Sequence, residues 1–169
     1  MIRLKRVFLY SLFLFIAAIS FAQILEPAKW NVHLNTADPK KGDTIQVVFD
    51  VDIDDQWYLY SSDFDPTLGP IVAEFEFNED DSYELLGDIE PINPSKAYDS
   101  LIWEGEYTYF KKRGQFIQLI KILDPEYMIS GFYTYQVCSD LDGKCITSDE
   151  EFDLSKKKIT QDDEDAQDL

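Results

Sequence analysis

The sequence has few of the residues on which metal centres and most hydrolases depend. Its 169 residues include two cysteines, Cys138 and Cys145, and one histidine, His33. This set falls short of the tetrahedral Cys/His ligand set of a zinc site. A Gly-x-Ser-x-Gly segment is also missing, which argues against a serine hydrolase. We therefore expect a protein that has neither a metal nor an organic cofactor of its own.

One long apolar run occurs, and it lies at the N-terminus. Residues 1–22 read MIRLKRVFLYSLFLFIAAISFA, in which three basic residues precede an uncharged run that ends in the small-x-small sequence Ser-Phe-Ala. The uncharged stretch from Val7 to Ala22 is short for a membrane span, which needs about 20 residues. We predict a secretory signal peptide over residues 1–22, cleaved near Ala22-Gln23. The product is expected to be periplasmic or otherwise exported, without stable membrane insertion.

Basic residues are scarce, with 15 Lys and Arg against 33 Asp and Glu and a formal net charge of −18. Removal of the signal peptide takes away three positive charges, which lowers the net charge to −21 over the remaining 147 residues. Such a surface repels nucleic acid, which we exclude as a partner. The basic runs 111–113 and 156–158 are short, and we interpret them as a solvated turn and a tail junction. Residues 155–169 are predicted to form an acidic disordered tail.

Helical spacing of apolar residues is missing from the segment between the signal peptide and the tail. Apolar and polar residues alternate there, and Gly, Pro and Asp-Gly signals separate the alternating stretches. We predict antiparallel strands that form a single domain over residues 23–154, with two sheets packed face to face. A small closed barrel is the alternative. The predicted strands are 29–34, 44–54, 57–61, 71–77, 82–89, 105–110, 115–123, 131–137 and 144–154.

The two cysteines lie at the ends of consecutive predicted strands. Cys138 ends one strand, Cys145 begins the next, and the connection SDLDGK contains an Asp-Gly turn signal. Residues that face each other across such a hairpin are close enough for a disulfide. The pair has three interpretations: a structural disulfide, half of a metal site or a redox centre. A structural disulfide over roughly eight residues stabilises by about 2.5 kcal/mol, compared with about 4.7 kcal/mol for a loop of a hundred.

A redox centre requires proximity, access for a partner and a thiolate. The hairpin provides proximity, and its polar loop is expected to be exposed. Lys144 lies beside Cys145 in the sequence and slightly favours that sulfur as the thiolate. As a hypothesis, Cys145 attacks and Cys138 resolves.

Three stretches of the chain resemble a known family. They are IQVVFDVDIDDQWYLY (45–60), YQVCSDLDGKC (135–145) and EEFDL (150–154). They are similar to the alternating strand and aromatic segment, the Tyr-Gln-x-Cys hairpin and the closing strand of the N-terminal periplasmic domain of the thiol:disulfide interchange protein DsbD. The Tyr-Gln-x-Cys hairpin is the most specific of the three. The resemblance implies an immunoglobulin-like antiparallel β-sandwich.

The resemblance also implies a function. Domains of this family carry reducing equivalents by thiol–disulfide exchange with thioredoxin-like redox proteins, and they receive them from a membrane-embedded electron donor. Here that donor is expected on a separate chain. In the family, the second cysteine of the hairpin forms the intermolecular bond, which assigns that role to Cys145 and the resolving role to Cys138. Two family tyrosines beside the disulfide match Tyr58 and Tyr60.

A family loop that shields the disulfide carries an aromatic residue two positions before a glycine. In LIWEGEY this residue is Trp103, the candidate shield. Leu101 and Ile102 stand where family members carry acidic residues, and six residues separate the cysteines, one more than in the best-known pattern. The alternative function is a secreted β-sandwich that binds a protein or a glycan, in which the Cys pair is only a structural hairpin disulfide and the aromatic residues are core or contact residues.

Overall fold

The computed structural model describes residues 25–156. The predicted signal peptide and most of the predicted tail, from residue 157 onward, lie outside the described residues. The described part of the chain contains ten strands and no helix, so it offers no helical segment that could cross a membrane. The strands are β1 (Ala28–Leu34), β2 (Thr44–Ile53), β3 (Trp57–Tyr60), β4 (Glu74–Phe77), β5 (Tyr83–Pro91), β6 (Ser95–Asp99), β7 (Gly105–Lys111), β8 (Arg113–Ile122), β9 (Ser130–Ser139) and β10 (Cys145–Asp153).

The strands form two antiparallel layers. Hydrogen bonds connect them along the path β1-β2-β8-β7-β3-β9-β10, and β5, β6 and β4 pair with β8, β7 and β9, respectively. The pairing of β7 with β8 is confined to Lys111 opposite Arg113. The path therefore divides there into one layer of β1, β2, β8 and β5 and a second layer of β6, β7, β3, β9, β4 and β10. The all-β antiparallel sandwich predicted from the sequence is confirmed.

Alternation along β2 explains how the two layers pack. Ile45, Val47, Phe49, Val51 and Ile53 share one face of this strand and are all buried. They pack against residues of β9 and β10 in the opposite layer. Only every second residue of those strands faces the core, because successive side chains of a strand point to opposite faces. Aromatic rings fill most of the space between the layers. They include Trp30, Phe75, Phe116, Tyr133, Tyr135 and Phe152.

Two local predictions need correction. Strand β6 was missed, because SKAYD lies between prolines and an irregular loop and has little buried surface; its pairing with β7 defines it. The segment 111–113, which we interpreted as a turn, is mostly strand, because Lys111 ends β7 and Arg113 begins β8. Lys112 has a φ of 66° and connects β7 to β8, whereas Gly114 is already a buried residue of β8.

Candidate redox site

The hairpin of β9 and β10 places the two cysteines directly opposite each other. Cys138 faces Cys145 in the register, their Cα atoms are 4.1 Å apart, and their sulfurs form a disulfide. This short Cα distance is typical of a facing pair without mutual backbone hydrogen bonds. The turn is closed by the N–H of Ser139, which donates to the carbonyl of Lys144 at 2.9 Å. Gly143 has a φ of 69°, a conformation that glycine adopts without steric cost.

The two cysteines have different access to solvent. Cys138 is 0% exposed and lies between β3 and β10, whereas Cys145 is exposed at the start of β10. Strand β10 ends the path of paired strands. A partner thiol can therefore approach Cys145 from the margin of the sheet, while Cys138 is covered on that side by the disulfide itself.

The strand register places four residues in one row across the second layer. Lys111 on β7 pairs with Tyr58 on β3, Tyr58 pairs with Cys138 on β9, and Cys138 pairs with Cys145 on β10. Residues directly opposite each other on neighbouring strands point to the same face. The row thus brings a cation and a phenol to the same side of the sheet as the disulfide.

The tyrosines predicted to lie beside the disulfide belong to a cluster of rings on this face. The rings of Tyr58 and Tyr60 are 5.3 Å apart, and their hydroxyls are 3.4 Å apart. Burial of Tyr60, and then its hydrogen bond with Tyr58, raises the pKa of its phenol above the usual range. Both burial and nearby charges keep such a phenol protonated at physiological pH. It is a neutral hydrogen-bond donor on the face that carries the cysteines.

Trp103 covers the end of this ring cluster. Its ring lies 6.1 Å from that of Tyr60 and 5.9 Å from that of Tyr107. The indole also rests on Gly69, where a Cβ would lie 2.6 Å from Nε1. Trp103 is therefore connected to the cysteines through Tyr60 and Tyr58, and Gly69 provides the space that the indole occupies.

Asp99 anchors the loop that carries Trp103. Its Oδ1 accepts hydrogen bonds from the N–H groups of Leu101, Ile102 and Trp103, at 3.0, 2.6 and 3.0 Å. These backbone donors, led by that of Ile102, lower the pKa of the Asp99 carboxyl. The side chains of Leu101 and Ile102 are 89% and 76% exposed, so the loop presents two apolar side chains to solvent while its backbone is fixed.

Substitution of Asp99 by Ala should loosen this loop. Amide hydrogen exchange at Leu101, Ile102 and Trp103 should accelerate by roughly fivefold or more, because each lost hydrogen bond is worth about 1 kcal/mol. Since hydrogen bonding lowers the carboxyl pKa, the anchor is fully present above the ordinary Asp pKa and is lost as the pH falls below it toward the lowered value.

Asp80→Ala is the matched control, because Asp80 similarly accepts the N–H of Ser82 in a distant loop. It should leave exchange at residues 101–103 unchanged. Equal exchange rates in the Asp99→Ala variant and the unmodified protein would contradict the anchoring role.

Sequence reasoning missed one charged residue of this face. Lys111 was assigned to a solvated turn, but its ammonium lies 2.6 Å from Asp140 Oδ2 and about equally far from the rings of Tyr58 and Tyr109, at 5.8 and 5.9 Å. The alternation of Tyr107, Tyr109 and Lys111 indicated a shared face of β7. The register that brings this face to the cysteines could not be read from the sequence.

Over residues 25–156, His, Cys, Asp and Glu side chains form no group of three that could hold a metal ion. The chemistry that the described residues bring together is that of a disulfide between a buried and an exposed cysteine, flanked by phenols and a lysine.

The model of the family described as "Thiol:disulfide interchange protein DsbD, N-terminal" matches residues 22–157. The chain belongs to this family. The match spans the cysteine hairpin, all ten strands and the loop of Trp103. The resemblance predicted from the Tyr-Gln-x-Cys hairpin is thereby confirmed for nearly all of the chain that follows the predicted signal peptide. No match was found among curated protein sequences.

Solved structures of N-terminal domains of DsbD and ScsB are similar to this chain. The reduced N-terminal domain of DsbD from Neisseria meningitidis is 21% identical, with a TM-score of 0.50 over 76% of this chain and 86% of that chain. The N-terminal periplasmic domain of ScsB from Proteus mirabilis is 20% identical, with a TM-score of 0.51 over 85% of this chain and 52% of that chain. The complex of the DsbD and PilB N-terminal domains from Neisseria meningitidis gives 18% identity and a TM-score of 0.46, over 78% and 89% of the two chains. The match to the reduced DsbD domain confirms the predicted immunoglobulin-like sandwich.

Proposed function

We propose that this DsbD-type domain carries reducing equivalents by dithiol/disulfide exchange with thioredoxin-like proteins. The observation that carries the proposal is the Cys138–Cys145 disulfide, which joins a buried cysteine to an exposed one at the margin of a sheet. A disulfide that only stabilised the fold would gain little from this position, because the loop that it closes is short. An exposed sulfur, by contrast, is what an incoming thiolate requires.

The exchange runs in two displacements. In the reduced domain, the Cys145 thiolate attacks one sulfur of a partner disulfide, so that a mixed disulfide forms and the partner's other sulfur leaves as a thiolate. Cys138, as its thiolate, then attacks Cys145 Sγ and releases the partner's remaining sulfur. Two electrons pass to the partner, and the Cys138–Cys145 disulfide forms again. Cys145 is the sulfur that a partner can reach, and Cys138 lies opposite it, ready to resolve.

The aromatic residues of this face have supporting roles in the proposal. Tyr58 lies between Lys111 and Cys138 in the strand register, and Tyr60 contacts Tyr58. Their phenols can therefore donate hydrogen bonds on the side of Cys138, the sulfur that leaves when a donor thiolate attacks Cys145. Trp103 shields this face, and a partner displaces its loop. The exposed side chains of Leu101 and Ile102 on the same loop offer an apolar contact for that partner.

We place the domain in the periplasm or another exported compartment, after cleavage near Ala22-Gln23. The reducing equivalents come from a membrane-embedded donor. Recharging is the reverse of the two displacements: a donor thiolate attacks Cys145, Cys138 leaves as a thiolate, and a second donor thiol resolves the mixed disulfide.

The reduction potential of the pair tests the proposal. Mature protein equilibrated in graded dithiothreitol buffers should become half reduced at a potential above about −300 mV, the upper end of the range typical of structural disulfides. Alkylation and mass spectrometry count the thiols, and circular dichroism on the same samples should show an intact fold. The alternative, a binding module with a structural disulfide, requires a pair that resists reduction until the domain unfolds. That result would overturn the proposal.

A further inference from the structure

A lysine stands at the end of the row that contains the cysteines. Lys111 is the last residue of β7, and Tyr58 separates it from Cys138 in the register. Its ammonium contacts the Asp140 carboxylate at 2.6 Å and lies over the rings of Tyr58 and Tyr109. The side chain thus spans from β7 across β3 to the turn that connects the two cysteines.

Asp140 is an unfavourable neighbour for a thiolate. It follows Ser139 at the beginning of the β9–β10 turn, two residues after Cys138, and its N–H donates to the carbonyl of Gln56 at 2.8 Å. This backbone bond fixes the turn beside β3. A carboxylate held near a thiol raises the thiol pKa, because it disfavours a second negative charge. A cation that pairs with the carboxylate removes most of this effect.

Other titratable groups border the same row. The Asp142 carboxylate accepts hydrogen bonds within the turn from the hydroxyl of Ser139 and the N–H of Lys144, which lower its pKa. The rings of Tyr58 and Tyr109 face the Lys111 ammonium. The groups that flank the row from β3, from β7 and from the turn are Tyr58, Tyr109, Lys111, Asp140, Asp142 and Lys144.

We propose that Lys111 is a positioning residue of the redox site, which neutralises the Asp140 carboxylate and so keeps the thiolate available to the cysteine pair. This inference rests on the proposed function, because a thiolate is needed only if the cysteine pair exchanges disulfides. The hydrogen bond to Asp140 raises the pKa of Lys111, so the lysine stays charged wherever the exchange operates. Because the side chains of Lys111 and Asp140 are 48% and 40% exposed, water screens the pair and the effect is moderate.

The test is the pKa of the reactive thiol in the reduced protein. Rates of alkylation by iodoacetamide are measured across pH, and peptide mass spectrometry separates Cys145 from Cys138. The variants are Lys111→Gln, Asp140→Asn, the double variant and Lys111→Arg. Lys121→Gln is the control for net charge, because Lys121 is an exposed residue of β8 in the other layer.

Lys111→Gln should raise the thiol pKa by roughly half a unit to one unit, which slows alkylation of Cys145 at pH 7 by roughly three- to tenfold. Asp140→Asn should shift the pKa in the opposite direction. The double variant should return to within a factor of about two of the unmodified protein, because it removes both charges. Lys111→Arg and Lys121→Gln should leave the pKa unchanged.

A purely structural clasp between the turn and β7 gives a different pattern. Lys111→Gln, Asp140→Asn and the double variant would then shift the pKa in one direction or leave it unchanged, and either result overturns the proposal. Should Lys111→Gln fail to fold, the lowering of the thiol pKa expected of Asp140→Asn still tests the proposal. The alkylation needs no partner protein, so a failure of exchange with thioredoxin-like proteins would overturn the proposed function and leave this comparison intact.

Discussion

Replacement of Cys145 by serine should abolish disulfide exchange, whereas replacement of Cys138 by serine should stop exchange at the mixed disulfide. Cys145 is exposed at the margin of the sheet and Cys138 is fully buried, so we expect a partner to react with Cys145. Without Cys138, a bond between Cys145 and a thioredoxin-like protein has no internal thiol to resolve it. The Cys138→Ser variant should therefore accumulate a covalent complex, which non-reducing electrophoresis and mass spectrometry detect.

The two variants are matched controls for each other. Each lacks the disulfide and should lose the same loop-closure stabilisation, about 2.5 kcal/mol for this short loop. A difference between them in trapping therefore reports chemistry and not stability. Efficient trapping through Cys138 in the Cys145→Ser variant would reverse the assigned roles. Absence of trapping in both variants, with both folded, would argue for the binding module.

Phe49→Ala should destabilise the domain by about 3–5 kcal/mol, which is typical of a buried phenylalanine. Phe49 is 0% exposed and lies on β2, in the first layer, yet its ring contacts rings of the second layer. Loss of the side chain therefore leaves a cavity where the two layers meet. Urea unfolding followed by tryptophan fluorescence measures the free energy of unfolding. The rings within reach are those of Phe75, Phe77, Tyr133 and Phe152, with centroids 4.7, 6.2, 5.7 and 5.2 Å from that of Phe49.

Phe132→Ala provides the comparison for this change. Phe132 is 40% exposed on the outer face of β9, so its removal should cost less than about 1 kcal/mol. A similar cost for the two substitutions would contradict the assignment of Phe49 to the contact between the layers.

Alternation made most of the fold predictable. Strands such as β2 and β8 bury one face, and their period of two is visible in the sequence. Strand β6 carries no such signal, because its residues lie at an edge and are mostly exposed; only its pairing with β7 makes it a strand. The layered packing followed from the number of short strands, but the order of the strands did not.

The site was partly predictable for a similar reason. Cys138 and Cys145 are close in sequence, so a hairpin was enough to place them together. Lys111 and Asp140 meet only because β7, β3 and β9 are neighbours in a particular register, and that depends on pairing between distant segments. The contact between the Trp103 indole and Gly69 likewise joins two loops that are far apart in the sequence. Local patterns predict local geometry, and these contacts are long-range.

The register of β9 and β10 has a consequence for the energetics of a redox cycle. Beyond the cysteines, the two strands remain paired over eight further positions, from Ile146 opposite Val137 to Asp153 opposite Ser130. The hydrogen bonds of this ladder fix the backbone whether or not the sulfurs are joined. Opening the disulfide therefore releases little chain entropy, and reorganisation of the domain between its two oxidation states should be small. Thiol–disulfide exchange can then proceed on a nearly rigid frame.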